Sequence, residues 1–69
     1  MDVSYTKLWK LMIDKGMNKS DLRKLTGIGT NTLAKLSKNH VVSMEVLMKI
    51  CLRLECDISD ICEFLKEDE

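Results

Sequence analysis

The chain of 69 residues has no proline, three glycines and only one residue each of tryptophan, tyrosine and phenylalanine. Little in this composition interrupts helices, and the Leu, Met, Lys and Glu that dominate the rest favour an all-α fold. No apolar run approaches the ~18 residues of a membrane span. The N-terminus MDVSYTKLWK also lacks an apolar signal core. We therefore expect a cytoplasmic protein that forms one domain over residues 1–69.

The three cysteines show no metal-binding pattern, since Cys51, Cys56 and Cys62 form no CxxC pair. A zinc site would need His40, the single histidine, as a fourth ligand, but the spacing matches no finger or knuckle pattern. Free, buried thiols are the simpler expectation. No Ser/His/Asp or Cys/His arrangement, paired carboxylates or phosphate-cradling loop stands out. The sequence therefore predicts no enzyme, no metal or cofactor and no small-molecule ligand.

Charge is unevenly distributed, although 11 basic and 11 acidic residues give a net charge of zero. Residues 1–53 hold ten basic and four acidic residues, a net +6, whereas residues 54–69 hold one basic and seven acidic residues, a net −6. Such a division suggests an anionic partner for the basic part. The alternative is a solvated surface followed by a short acidic tail, 66–69, that aids solubility.

Apolar residues recur with helical spacing in five segments. Trp9 lies in the apolar stripe of the first segment and is expected to pack in the core, and Leu22 and Leu25 should point inward from the second. Gly16 and Gly27 are natural helix ends, whereas capping residues precede the later helices. The predicted helices cover about Tyr5–Lys15, Lys19–Thr26, Thr30–Lys38, Met44–Leu54 and Ile58–Leu65.

Local capping patterns support three of these starts. Asn18 followed by Asp21 resembles a capping box at the second helix, and Asp57 with Asp60 does the same at the fifth. Ser43 is a good N-cap for the fourth helix.

The third predicted helix differs from a core helix because its first turn is entirely polar. Thr30, Asn31 and Thr32 begin it, and its apolar residues, Leu33 and Leu36, come later. Asn can pair with an adenine edge, and Thr can donate, accept or contact a thymine methyl. This segment therefore favours contact with a partner outside the chain.

The second and third predicted helices, joined by a glycine-containing turn, form a helix-turn-helix pattern. In that motif the second helix enters the major groove with its N-terminal residues towards the bases. Lys35 lies one turn beyond Asn31, so it joins the candidate base-reading residues. Lys19 and Lys38 are placed to contact backbone phosphates. An ordinary corner between two helices with polar caps is the alternative.

The segment MNKSDLRKLTGIGTNTLAKLSKN resembles the helix-turn-helix of the lambda-repressor-like (Cro/repressor type, XRE) family. Its matching positions are Leu22, Gly27, Ile28, Leu33 and Leu36. The resemblance implies a compact five-helix DNA-binding domain over nearly the whole chain.

The same resemblance implies functional positions. The family's base-reading residues fall on Thr30, Asn31 and Thr32 with Lys35, and phosphate contacts from the loop after helix 3 fall on Asn39 and His40. Two positions that often carry a paired Arg and Glu in the family hold Met12 and Ser37 here.

The favoured hypothesis is a sequence-specific transcriptional regulator, bacterial or phage, that binds double-stranded DNA and acts as a repressor. Members of this family usually dimerise on pseudo-palindromic sites, so we expect a homodimer at least on DNA, through helix 5 and the end of helix 4. The alternative is a protein-interaction module, such as an antitoxin-like or regulatory subunit, that binds a partner through its acidic C-terminal half.

Overall fold

The computed structural model describes residues 2–66 and contains, within them, four α-helices, one 3₁₀ turn and two short strands. In chain order these elements are β1 (Asp2–Ser4), α1 (Thr6–Asp14), α2 (Lys19–Thr26), α3 (Thr30–Ser37), α4 (Met44–Leu54), the 3₁₀ turn (Ile58–Asp60) and β2 (Glu63–Leu65). The predicted bounds of the second and fourth helices are confirmed. The first helix is one residue shorter at each end than predicted, and the third is one residue shorter at its C-terminus.

Each helix is followed within two residues by a residue with positive φ, which turns the chain away from the helix axis. Two of these residues, Gly16 and Gly27, are the predicted stops. The other two carry side chains, which adopt this conformation less readily. The four residues have φ between 54° and 77° and are Gly16, Gly27, Asn39 and Glu55.

The prediction of a fifth helix over Ile58–Leu65 is wrong. Asp57 and Asp60 do form a capping box, with the Asp57 N–H donating to Asp60 Oδ2 at 2.9 Å, but it starts only the three-residue 3₁₀ turn. The chain then extends as β2, which pairs antiparallel with β1 so that Val3 lies opposite Phe64. A local apolar pattern cannot reveal a backbone partner some sixty residues away, and that partner decides the conformation here.

A single cluster of buried side chains joins the helices, the sheet and the 3₁₀ turn. From the helix-turn-helix it receives Leu22, Ile28 and Leu36, which fasten α2, the turn and α3 to the rest of the fold. Leu25 is 42% exposed, so its predicted inward orientation is wrong. It lies about 60° around the helix axis from Leu22. The buried residues are Tyr5, Leu8, Met12, Leu22, Ile28, Leu36, Leu47, Ile50, Leu54 and Ile61.

The structure describes only the first residue of the predicted acidic tail, 66–69. Of the predicted acidic tail, Lys66 is exposed, whereas residues 67–69 lie outside the described residues. Among the helices of residues 2–66, none has the length and apolar character needed to cross a membrane.

Candidate nucleic-acid interface

The start of α2 is fixed by the predicted capping box. The Asp21 N–H donates to Asn18 Oδ1 at 2.8 Å, and the Asn18 N–H donates to Asp21 Oδ2 at 3.0 Å. At the other end, the Gly27 N–H donates to the Arg23 carbonyl at 2.8 Å. The sequence thus sets both ends of α2 locally, before any packing.

A three-residue turn, 27–29, leads from α2 to α3. Gly27 has φ 77°, a conformation that favours glycine, and Ile28 is buried beneath the turn. Gly29 has φ −77° and ψ 167°, which any residue adopts, and a side chain there would meet no atom within 4 Å. The backbone conformation therefore favours glycine at the first of these positions but not at the second.

The first turn of α3 is open. Its N-cap, Gly29, offers no side chain to the free N–H groups of the helix start. Thr30 and Asn31 are exposed, whereas Thr32 is half-buried. Two of the three predicted base-reading residues at this end therefore lie fully on the surface, and Thr32 lies at its margin.

Lys35 and Lys38 are both exposed and extend this surface towards the end of α3. Residues four apart on a helix are neighbours, so Lys35 lies on the same side as Asn31. The α3 surface, as we call it below, comprises Thr30, Asn31, Thr32 and Lys35.

Lys19 makes two contacts that the sequence did not predict. Its Nζ donates to Ser37 Oγ at 3.0 Å and lies 4.7 Å from the centroid of the Trp9 ring. A cation over an indole face is held electrostatically, so α1 positions the first residue of α2 beside the last residue of α3. Trp9 is half-buried and packs against the core, as predicted, while its ring also orients this lysine.

Asn39 and His40 follow α3 and are tied to the start of α1. Asn39 has φ 57°, and its Oδ1 accepts a hydrogen bond from the Tyr5 N–H at 3.2 Å. The Tyr5 hydroxyl donates to the His40 backbone carbonyl at 2.8 Å. The Asn39 oxygen is therefore occupied within the protein, while the side chains of both loop residues remain exposed.

The charge around the helix-turn-helix is one-sided. Residues 15–38 contain a single acidic residue, Asp21, and it belongs to the capping box. The basic residues of the same range are all exposed, and they are Lys15, Lys19, Arg23, Lys24, Lys35 and Lys38. Such a surface attracts a polyanion.

The three thiols lie elsewhere, around the end of α4, and are free and half-buried rather than fully buried. The Cys56 N–H donates to the Cys51 carbonyl at 3.0 Å, which closes the helix and brings the two residues together. Burial, followed by the neighbouring Cys56, raises the pKa of Cys51 to about 11. Within residues 2–66 no group of three His, Cys, Asp or Glu side chains could hold a metal ion.

Sequence reasoning found the exposed residues of α3 and missed the residues that position their surroundings. No local sequence pattern indicated the positioning roles of Tyr5 and Ser37, because each bonds to a partner 18 to 35 positions away. The apolar stripe of the first segment predicted the core packing of Trp9, but its lysine partner could not be identified from the sequence.

The comparison with protein families decides what this arrangement is. The profile of the Cro/C1-type HTH DNA-binding domain matches residues 7–67. The chain belongs to this family. Among solved structures, this Cro/C1-type domain is similar to the crystal structure of transcriptional regulator VanUg, with 53% identity and a TM-score of 0.92 over 96% of this chain and 88% of that one. No curated protein matches the chain.

Membership confirms the resemblance seen in the sequence. It supports a helix-turn-helix DNA-binding regulator, whose helical fold is the one predicted apart from the fifth helix.

Proposed function

We propose that this Cro/C1-type domain is a sequence-specific transcriptional repressor that binds double-stranded DNA with α3 in the major groove. The observation that carries the proposal is the division of one segment into two surfaces. Ile28 and Leu36 are buried and hold the turn and α3 against the core, while Thr30, Asn31 and Lys35 remain exposed on the same helix.

Base recognition falls to the α3 surface. Asn31 is the principal base-reading residue. Its amide can donate to N7 of adenine and accept from the N6 amine of the same base. Thr30 offers a hydroxyl and a methyl group, and Lys35 favours guanine. Thr32 is half-buried and therefore offers less of its side chain to the groove.

Phosphate contacts flank this surface. Lys19 presents its ammonium group from a fixed position beside Trp9 and Ser37, and Lys38 follows the end of α3. His40 contributes an exposed side chain. Asn39 can donate to a phosphate from its amide nitrogen while its oxygen accepts from the Tyr5 N–H. These contacts set orientation and register without reading sequence.

One α3 helix covers only a few base pairs, so we propose that two copies occupy a pseudo-palindromic site with half-sites one helical turn apart. Occupancy of such a site excludes other proteins from the same DNA, which is the simplest route to repression by a DNA-binding domain.

Selection of bound fragments from random DNA tests the proposal. We expect one enriched motif with two-fold symmetry, bound with an affinity that falls steeply as salt rises, at a log–log slope of about −0.9 per phosphate contact. Absence of any enriched motif, together with no fragment shifted at low salt, would contradict the proposal.

A second candidate, a protein-interaction role, is favoured by the outer face of α4. Met44, Met48 and Leu52 are 60%, 65% and 74% exposed. Met48 and Leu52 border an open groove of about 1020 Å³. The groove is also lined by one basic residue, Lys49, and by four acidic residues, Glu45, Glu55, Asp57 and Asp60. A basic amphipathic helix is the partner that fits apolar and acidic groups at this spacing. Binding of such a helix by a protein that shifts no DNA would favour this candidate.

A further inference from the structure

Two thiols lie side by side where α4 ends, in a local arrangement that DNA binding does not use. Glu55 adopts a left-handed conformation with φ 54°, and the N–H of the next residue, Cys56, donates to the Cys51 carbonyl at 3.0 Å. This hydrogen bond is the one that defines a Schellman motif, in which the side chains of the two bonded residues frequently contact each other. Here both of those side chains carry a thiol.

The paired thiols are open to a ligand on one side. Cys51 and Cys56 are free, half-buried and packed against the core, and both line the groove beside the outer face of α4. The same groove is lined by Met48 and Leu52, which are 65% and 74% exposed. A molecule in the groove therefore meets two sulfur atoms and an apolar wall.

Cys62 provides an internal comparison. It is also free and half-buried, but its thiol donates to the Ile58 carbonyl at 3.5 Å, and it does not line this groove. Two of the three thiols are therefore presented together, and the third is turned to a different partner.

Both paired thiols hold their protons at neutral pH. Burial, followed by the neighbouring Cys56, raises the pKa of Cys51 to about 11, and burial also raises the pKa of Cys56. A cation such as Zn²⁺ must displace thiol protons and needs further ligands, and residues 2–66 contain no group of three suitable side chains. The pair therefore suits a soft ligand that binds two sulfur atoms and carries the protons away itself.

We propose that Cys51 and Cys56 form a dithiol site for a trivalent organic arsenical, R–As(OH)₂, whose organic group lies along Met48 and Leu52. Each sulfur forms one bond to arsenic, and the two arsenic–oxygen bonds break. The two hydroxide groups leave as water with the two thiol protons. Arsenic stays trivalent, so nothing is oxidised or reduced and no net proton is released. The site lies outside the α3 surface, and its occupation is independent of DNA.

Binding of phenylarsine oxide, which hydrates to the dihydroxy form, is the first test. The full chain is reduced with a phosphine, so that no added thiol competes. We expect one arsenical per chain by intact mass spectrometry and the loss of two of the three titratable thiols. Cys51→Ala and Cys56→Ala should each weaken binding at least about tenfold, because the second bond to arsenic no longer forms within one chain. Cys62→Ala is the matched control and should bind like the wild type.

Trypsin identifies the bridged pair in the wild-type chain, without any substitution. It cuts after Lys49 and Arg53, so it releases Cys51 in one fragment and Cys56 with Cys62 in the next. The proposed bridge therefore links two fragments, whereas a bridge between Cys56 and Cys62 stays within one. Persistence of the linked fragments in Cys62→Ala assigns the bridge to the proposed pair. A dominant adduct within the second fragment would overturn the proposal.

Urea separates a folded site from sequence spacing alone. Cys56 is five positions from Cys51 and six from Cys62, so an unfolded chain should form the two bridges in comparable amounts. Linkage as selective in urea as in the folded protein would contradict a site made by the fold. The same holds for a wild type that takes up no arsenical, or for a Cys62→Ala variant weakened as much as Cys51→Ala. None of these results would bear on the proposed function, because the α3 surface contains no thiol.

Discussion

Asn39 offers a quantitative test of how the loop after α3 is held. Two features depend on this residue: its φ of 57° and the hydrogen bond that Oδ1 accepts from the Tyr5 N–H. Asn39→Ala removes the bond, at about 1 kcal/mol, and places an alanine in a left-handed conformation, at about 1–2 kcal/mol. The free energy of unfolding should therefore fall by about 2–3 kcal/mol. For a domain of this size, each kcal/mol lowers Tm by about 4–8 °C.

Companion substitutions separate the two costs. Asn39→Gly removes the bond but tolerates the positive φ, so it should cost only about 1 kcal/mol. Asn39→Asp keeps an acceptor and stays within about 0.5 kcal/mol, but adds a negative charge near the proposed phosphate contacts and should weaken DNA binding. Urea unfolding with a common m-value gives the three differences.

The reasoning fails if the alanine and glycine variants unfold at the same urea concentration, because strain at positive φ would then contribute nothing. It also fails if neither variant is destabilised. A normal DNA affinity for Asn39→Asp would remove this loop from the proposed phosphate contacts.

Three further predictions concern other residues. Gly29→Ser should raise stability by a few tenths of a kcal/mol by thermal melting, since serine is the better N-cap, yet lower DNA affinity if the duplex backbone approaches this turn. Lys19→Ala should weaken binding to all DNA sequences alike and reduce the salt slope by about 0.9, more than Lys24→Ala on the same helix. The pKa of Cys51, raised from 9.0 to about 11, means that the folded state retains its proton where the unfolded chain loses it. The resulting stabilisation is complete below pH 9 and is lost as the pH rises towards 11, so Tm should start to fall above pH 9, and less so in Cys51→Ala.

Structural features that depend only on neighbouring residues were predictable from the sequence. The bounds of α2 follow from Asn18, Asp21 and Gly27, and those of α4 from Ser43 and its apolar stripe, because caps act within one turn. The exposed start of α3 was equally predictable, since a polar first turn does not pack in a core.

Features that depend on distant partners were not predictable in this way. Ile58, Ile61, Cys62 and Leu65 have helical spacing, yet pairing with β1 draws the chain into a strand and leaves Leu65 exposed. The occupied oxygen of Asn39 likewise depends on Tyr5, 34 residues earlier. A candidate phosphate contact thereby gained a structural role that no local pattern could show.

The central claim is that α3 reads bases, and Asn31→Ala on the selected site tests it most directly. The substitution removes an exposed side chain and no buried one, so the fold should be unaffected. We predict a loss of about 1–3 kcal/mol on the preferred sequence, little change on DNA altered at the contacted base pair, and hence a collapse of discrimination at that position. An unchanged preference between the two DNA sequences would contradict the claim.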